Sequence, residues 1–334
     1  IAAEMEKRNM TIPLIIGGAT TSKAHTALKI EPNYSGPVIY GYDASKTVEI
    51  SKKLLGKNKK EYIKSIKKEY EEVRNTYNSY ESELVSLKEA RENKFNINWN
   101  NREIPKPNFI GIKEVMNYTV SDLRPYIDWT FFFIAWEMKK LYPDILEDSA
   151  YGKEAKKIFN DANKMLDFIE ENNIVDIKGV FGIFKANSNG DNIELYNKDK
   201  SLAATFNLFR EQRKKNKGPY LCLSDFIAPK EINKDDYLGG FIVTTGLKAD
   251  EYAKKLEAEG DSYNAIMLKL VCDRLAEAFA EKLHEDIRKN YWGYAKDENL
   301  SMKEIFKASY RGIRPAFGYP SLIDQSQMKI LFNL

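Results

Sequence analysis

The chain has 334 residues, which on the usual scale of about 100 to 200 residues per domain is enough for two domains. Hydrophobic residues make up 43% and charged residues 30%, a composition typical of soluble globular proteins, and no window is apolar enough to span a bilayer. The net charge is +3, from 52 basic and 49 acidic side chains. So balanced a charge exerts little attraction on polyanions, which argues against a nucleic-acid-binding or membrane-bound protein.

The two cysteines, Cys222 and Cys272, are far apart in the sequence and form no CxxC motif. This argues against a disulfide framework and against a thiolate metal site, and it favours a reducing cytoplasm. Residues 1–6 have neither the basic head nor the apolar core of a signal peptide and resemble the middle of a helix. We therefore expect the chain to be part of a longer polypeptide.

Residues 1–55 show alternating helix and strand patterns. We predict a helix end near residues 4–9, strands at 12–16 and 37–40, and helices at 23–30 and after Asp43, with residues 19–22 capping the first of these two. This order predicts the end of a parallel α/β domain. Two strands and three helical pieces cannot bury both faces of a parallel sheet, so we expect the rest of that domain upstream.

Residues 56–101 are rich in Lys, Glu, Asn and Tyr. Five apolar or aromatic residues keep roughly helical spacing there: Tyr62, Ile66, Tyr70, Val73 and Tyr77. The pattern predicts a long polar helix that serves as a linker. A solvated face is favoured over a binding role for its charges. Pro105 and Pro107 mark the entry to the next domain.

Residues 102–334 mix the two kinds of pattern. An amphipathic helix is predicted at 148–170, paired strands at 179–184 and 191–196, another strand at 241–245 and a long helix at about 262–289. Strands clustered between helices favour an α+β domain whose sheet is largely antiparallel.

The first candidate site is the pair Gly17 and Gly18, which follows a predicted strand. Glycines there let the backbone approach a ligand at the carboxyl edge of an α/β sheet. The pair lacks the full GxGxxG fingerprint, and on its own an ordinary turn is the favoured interpretation.

The second candidate is residues 314–320, Arg-Pro-Ala-Phe-Gly-Tyr-Pro. Two prolines and a glycine predict a stiff, extended turn, so contacts from Arg314 and Tyr319 cost little ordering entropy. The guanidinium of Arg314 matches a carboxylate in bidentate geometry. From these residues alone, a ligand-binding loop and a structural loop anchored by an arginine salt bridge are equally supported.

Two acids complete the list of candidates. Asp128 precedes an aromatic run, where it either caps a helix or contacts a ligand. Glu277 falls close to one stripe of the long helix with Ile266, Leu270 and His284, where a solvated edge is favoured over a placed acid.

Taken together, several of these segments resemble cobalamin-dependent methionine synthase. They are residues 16–26 and 34–38 (IGGATTSKAHT and YSGPV), 128–133 (DWTFFF), 273–281 (DRLAEAFAE), 291–294 (YWGY) and 314–320 (RPAFGYP). The resemblance implies that residues 1–55 are the end of the cobalamin-binding domain and 56–101 a linker. Residues 102–334 would form a C-shaped activation domain with a twisted antiparallel sheet and flanking helices.

The resemblance also implies roles for individual residues. Arg314 would clamp the carboxylate of S-adenosylmethionine, with Asp128 and Glu277 as acidic companions. Three loop residues would contact the same ligand: Ala316, Gly318 and Tyr319. Gly17 and Gly18 would line the slot for the nucleotide tail of cobalamin, and the backbone of Ala44 would contact that cofactor.

The family transfers a methyl group from methyltetrahydrofolate to homocysteine through cobalamin. The resemblance implies that this region binds S-adenosylmethionine for the reductive reactivation of oxidised cobalamin, with a flavodoxin-like electron donor and the cobalamin domain of the same polypeptide as partners. Zinc is expected only in upstream parts of such an enzyme. The alternatives are a non-catalytic S-adenosylmethionine-binding or reductase-docking module, and a different enzyme that uses this ligand to act on corrinoid proteins.

The sequence departs from the family at three places. The DxHxxG motif that supplies the lower axial histidine is absent, and His25 at the start of a predicted helix is favoured as a surface or capping residue. We therefore expect that the chain alone does not bind cobalamin tightly. Phe131 stands where the family usually has proline, and residues 321–325 replace a Cys-Pro-Asp/Glu-His run. Further tyrosines of the ligand pocket are expected beyond residue 334.

Overall fold

The computed structural model describes residues 1–17, 21–41, 44–80 and 84–334, with the backbone alone for 44–46 and 76–80. The chain divides into two compact units, which are described separately. Unit 1 comprises residues 1–86 and 212–218, and unit 2 comprises residues 87–211 and 219–334. No helix in the described ranges is both long and apolar enough to cross a membrane.

Unit 1 is a small parallel α/β arrangement. Its elements are α1 (Ala2–Lys7), β1 (Leu14–Ile16), α2 (Lys23–His25), which continues into a π-helical turn (Thr26–Ile30), β2 (Val38–Tyr40), α3 (Ala44–Leu55) and α4 (Lys59–Tyr80). Strands β1 and β2 are parallel, with Leu14 opposite Val38 and Ile16 opposite Tyr40. The hydroxyl of Ser22 accepts a hydrogen bond from the backbone N–H of His25, which confirms the predicted cap. Ala19 and Thr20 lie outside the described residues.

Helix α4 differs from the predicted solvated linker because one side of it docks on unit 1. Tyr70 is 1% exposed, and its hydroxyl accepts a hydrogen bond from the backbone N–H of Tyr40 in β2. Arg74 donates to the backbone oxygen of Ala27 and to Glu31. The helical tyrosine spacing that predicted the helix therefore marks a packed face, whereas residues 87–101 belong to unit 2.

Unit 2 contains an antiparallel sheet flanked by helices, which confirms the α+β class. Its first elements are α5 (Leu87–Glu92), β3 (Gly111–Val115), α6 (Val120–Leu123), α7 (Trp129–Ala135) and α8 (Gly152–Glu171). Strands β4 (Lys178–Asn189), β5 (Asn192–Tyr196), β6 (Leu202–Asn207) and β7 (Asp236–Thr244) follow. The chain then forms α9 (Lys248–Ala258), α10 (Ser262–Asp286), α11 (Met302–Phe306) and α12 (Met328–Asn333).

The long strand β4 organises the sheet of unit 2. It pairs antiparallel with β3, β5 and β7, and β5 pairs in turn with β6. The predicted hairpin of β4 and β5 is thus confirmed, as are the helices that became α8 and α10. In β5, the buried residues Ile193 and Leu195 alternate with half-buried ones, as expected when one side of a strand faces the core.

Helix α10 supplies much of the core of unit 2. One stripe of the helix is at most 1% exposed: Leu268, Val271, Leu275, Phe279 and Leu283. The ring of Phe279 packs 5.0 Å from that of Tyr118 and lies against the backbone of Gly179 in β4, where an added Cβ would come within 2.9 Å of Phe279 Cζ. Close packing against glycine fixes the position of α10 on the sheet.

We predict that Phe279→Ala lowers the free energy of unfolding of unit 2 by about 3–5 kcal/mol, because a buried aromatic ring leaves a cavity. All four tryptophans lie in unit 2, so tryptophan fluorescence during urea unfolding reports on this unit alone. Ile266→Ala is the matched control on the same helix, since Ile266 is 49% exposed and should change stability by less than about 0.5 kcal/mol. Equal losses in the two variants would contradict this account of the core.

Candidate functional site

The loop formed by residues 313–320 follows α11 and is ordered by its own hydrogen bonds. The backbone N–H of Gly318 donates to the backbone oxygen of Leu322, and that of Leu322 donates to Tyr319. Gly318 has φ +89°, and an added Cβ would lie 2.5 Å from the side-chain nitrogen of Gln325. Phe317 anchors the loop by packing toward Phe206, with ring centroids 6.3 Å apart. Only a glycine fits at position 318 of this turn.

Arg314 forms an ion pair with Glu281 of α10 through its Nη2 atom. Both side chains are largely buried, at 22% and 16% exposure. Burial raises the pKa of Glu281, an effect that the Arg314 charge opposes and the nearby Glu277 charge reinforces. The sequence-based alternative of an arginine salt bridge is thus present in the structure, and its partner is a residue that the sequence analysis did not single out.

The other predicted ligand residues differ in their exposure and in their own hydrogen bonds. Glu277 is exposed, one turn before Glu281 on α10. Ala316 and Tyr319 are also exposed, the latter by 64%. Asp128 precedes α7, and its Oδ1 accepts a hydrogen bond from the backbone N–H of Thr130 at 2.9 Å. The helix-capping role of Asp128 is therefore confirmed, while its role toward a ligand stays a prediction.

A buried cluster of polar side chains lies next to the ion pair on α10. Arg288 is fully buried, its guanidinium pairs with Glu298, and its Nη1 lies 2.8 Å from Nδ1 of His284. The ring of Tyr310 lies 4.1 Å from the guanidinium carbon. Because Arg288 can only donate, Nδ1 of His284 must accept, so the imidazole is neutral. Tyr310 is four residues before Arg314, and the cluster thus anchors the chain that leads into the loop.

The neutral state of His284 has a consequence for acid stability. Burial first, then the charges of Arg288 and Arg314, lower the pKa of His284 from 6.5 to about 3. In the unfolded chain, His284 therefore binds a proton near pH 6.5, whereas in the folded chain it stays unprotonated down to about pH 3. The stability that the folded protein gains by keeping His284 neutral is fully present above pH 6.5 and is lost as the pH falls toward 3.

We predict that His284→Gln makes the stability of unit 2 less sensitive to acid, because glutamine can accept the Arg288 hydrogen bond without titrating. Between about pH 7 and pH 5 the parent protein should lose about 2 kcal/mol more than the variant. Urea unfolding followed by tryptophan fluorescence at both pH values measures this difference, since all other groups titrate in both proteins. Identical pH dependence in the two proteins would refute the assignment of a neutral, buried histidine.

A separate cavity of about 340 Å³ opens beside a different stripe of α10. Its lining includes Tyr118, Lys282 and Asp286, none of which is a predicted site residue. These groups satisfy one another, since the Tyr118 hydroxyl and the Lys282 ammonium both donate to the Asp286 carboxylate. The loop and the Arg314–Glu281 pair, rather than this cavity, are the candidate site.

In unit 1, the predicted cobalamin contacts lie at the carboxyl edge of the two strands. Gly17 directly follows β1, and an added Cβ would lie 2.9 Å from the backbone oxygen of Gly41, which directly follows β2. Ala44 is the first residue of α3. Gly18 lies outside the described residues. The close approach of the two strand ends is reason enough for a glycine at position 17.

The described residues of unit 1 do not supply a lower axial ligand for cobalamin. His25 is exposed at the end of α2, and the second histidine of the chain, His284, is committed to Arg288. No group of three or more His, Cys, Asp or Glu side chains in the described ranges could hold a metal ion. The residues present therefore do not fit a complete cobalamin site.

An α+β unit in which a loop arginine meets a largely buried helix carboxylate is suited to bind a small charged molecule. Comparison with known proteins identifies the family of this unit. Residues 119–334 match the family model described as "Vitamin B12 dependent methionine synthase, activation domain". The chain belongs to this family, which confirms the resemblance found in the sequence and relates the chain to methyltransferases.

One similar solved structure is the MetH reactivation domain bound to AdoHcy. It is 44% identical in sequence, with a TM-score of 0.73, and the match covers 75% of this chain and 78% of that one. The similarity supports the mixed helix and antiparallel sheet architecture of the present chain.

Proposed function

We propose that this activation domain binds S-adenosylmethionine at the Arg314 loop and presents it as methyl donor for the reductive reactivation of cobalamin. Three observations support the proposal. They are the family of residues 119–334, the AdoHcy bound by a structure of 44% identity, and the pairing of Arg314 with Glu281 beside a rigid turn. The last of these carries most weight because it is a property of this chain.

Methyl transfer from a sulfonium requires the protein to position the ligand and to stabilise its charges, and it does not require acid–base catalysis. A sulfonium is already an activated methyl donor, so no general base is required. Arg314 would hold the ligand carboxylate. Glu277 and Glu281 on α10, together with Asp128 before α7, would favour the ammonium and sulfonium charges. The turn hydrogen bonds around Gly318 would keep this geometry at low entropic cost.

The partners of the reaction follow from the same proposal. The cobalamin would be held by the cobalamin domain of the same polypeptide, to which Gly17, Gly18 and Ala44 would contribute backbone contacts. A flavodoxin-like protein would supply the electron. Because the described residues offer no axial histidine, we assign no catalytic step to a cobalamin bound by this chain alone. A longer polypeptide that also carries the complete cobalamin domain and the upstream parts that bind methyltetrahydrofolate and homocysteine would act as a methionine synthase in the cytoplasm.

We predict that Arg314→Ala weakens S-adenosylmethionine binding by about 10- to 100-fold, because a charge-assisted hydrogen bond contributes about 1.5–3 kcal/mol. Isothermal titration calorimetry of the parent protein and the variant measures the change. Arg102→Ala is the matched control, since Arg102 is an exposed arginine of unit 2 outside the loop, and it should leave the affinity unchanged. No binding by the parent protein, or equal binding by all three proteins, would contradict the proposed function.

Methyl transfer distinguishes this proposal from a module that binds the ligand without catalysis. The proposed domain, supplied with a cobalamin domain and a reductant, should convert S-adenosylmethionine to S-adenosylhomocysteine. A non-catalytic module would bind the same ligand and leave it intact.

A further inference from the structure

The ion pair between Arg314 and Glu281 leaves one buried polar atom on each partner without a hydrogen bond. In the described part of the chain, five buried side-chain nitrogen or oxygen atoms have no partner, and two of them are Nε of Arg314 and Oε2 of Glu281. They are an unused donor and an unused acceptor within a single contact. Buried polar groups are nearly always paired, so an unpaired donor and acceptor at one place define a position that a bound molecule can satisfy.

The chemistry of the two free atoms defines the group that would satisfy them. The free guanidinium nitrogen requires an acceptor, and the free carboxylate oxygen requires a donor. The α-amino acid end of a ligand carries both within one small unit, as a carboxylate and an ammonium. A group without a hydrogen-bond donor, such as a carboxylate alone, would leave Oε2 of Glu281 unpaired.

We propose that Glu281 is a specificity-determining residue that accepts a hydrogen bond from the α-ammonium of S-adenosylmethionine while Arg314 holds the adjacent carboxylate. This inference rests on the proposed function and adds to it the residue that recognises the amino group. The site would thereby select ligands with an intact amino acid end over adenosine thioethers that lack it.

The structure favours Glu281 over the two acids identified from the sequence. Glu277 is exposed, so water competes for any hydrogen bond that it offers. Asp128 already uses Oδ1 to cap α7. The side chain of Glu281 is 16% exposed and is held in place by Arg314, so it is both shielded from water and preorganised.

A purely positioning role is the competing explanation, in which Glu281 orients Arg314 and does not touch the ligand. The two explanations differ in their dependence on the ammonium. If Glu281 binds the ammonium, removing that group from the ligand and removing the charge from Glu281 should have overlapping effects. If Glu281 only orients Arg314, the effects should be independent.

The test is a calorimetric comparison of three ligands: S-adenosylmethionine, its deaminated analogue and its decarboxylated analogue. The parent protein should prefer S-adenosylmethionine to the deaminated analogue by at least about tenfold. The Glu281→Gln variant, which keeps the size of the side chain and an oxygen for Arg314, should lose this preference. Arg314→Ala should instead lose the preference for S-adenosylmethionine over the decarboxylated analogue.

Asp273→Asn serves as the charge control, because Asp273 is an exposed acid of the same helix. It should bind all three ligands as the parent protein does, and thermal unfolding should confirm that each variant is folded. A Glu281→Gln variant that binds S-adenosylmethionine and its deaminated analogue with the parent's full preference would overturn the inference alone. Failure of the parent protein to bind S-adenosylmethionine would overturn the proposed function and the inference together.

Discussion

The buried guanidinium of Arg288 is the interaction on which the candidate site depends. A fully buried cation is tolerated only when it is paired and hydrogen-bonded, and Arg288 obtains its partners from α10 and from residues 298 and 310. The chain between α10 and the Arg314 loop is thereby held against the helix at two points. Glu281 and His284 lie three residues apart on α10, and Arg288 follows in the π-helical turn Ile287–Tyr291 that continues this helix. The acid that meets Arg314 and the partner of the buried guanidinium are therefore neighbours on one helix.

Helix α10 has one apolar stripe and one charged stripe because it packs on the sheet and also contributes to the candidate site. One stripe must be apolar to pack on β4, as Phe279 does against Gly179. A second stripe carries charges at partial or full burial, where each must find a partner. The apolar stripe fixes the helix on the sheet, and this fixed position lets Glu281 meet an arginine 33 residues further along the chain.

Much of the fold could be predicted from the sequence because local patterns determine it. The hairpin of β4 and β5 and the parallel pair β1 and β2 appear in the sequence as short apolar runs, and helices α8 and α10 appear as longer helical patterns. The docking of α4 was not predicted, since the spacing of Tyr70 shows a face but not what covers it. Glu281 and Arg288 were missed for a related reason, because contacts distant in sequence leave no local pattern. A signal existed in the (i, i+4) spacing of Glu277 and Glu281, which placed a second acid one turn along the same face.

The charges of the candidate site are complementary to those of the proposed ligand. Arg314 carries one positive charge, and the acids of the proposed site, Glu277, Glu281 and Asp128, carry negative charges when ionised. S-adenosylmethionine carries one carboxylate, one ammonium and one sulfonium, a net charge of +1. The signs match group by group, because the guanidinium has an anion to hold and the carboxylates have two cations. An arginine in place of one of these acids would set a cation against the ammonium or the sulfonium, so the proposed ligand favours a single arginine set among acids.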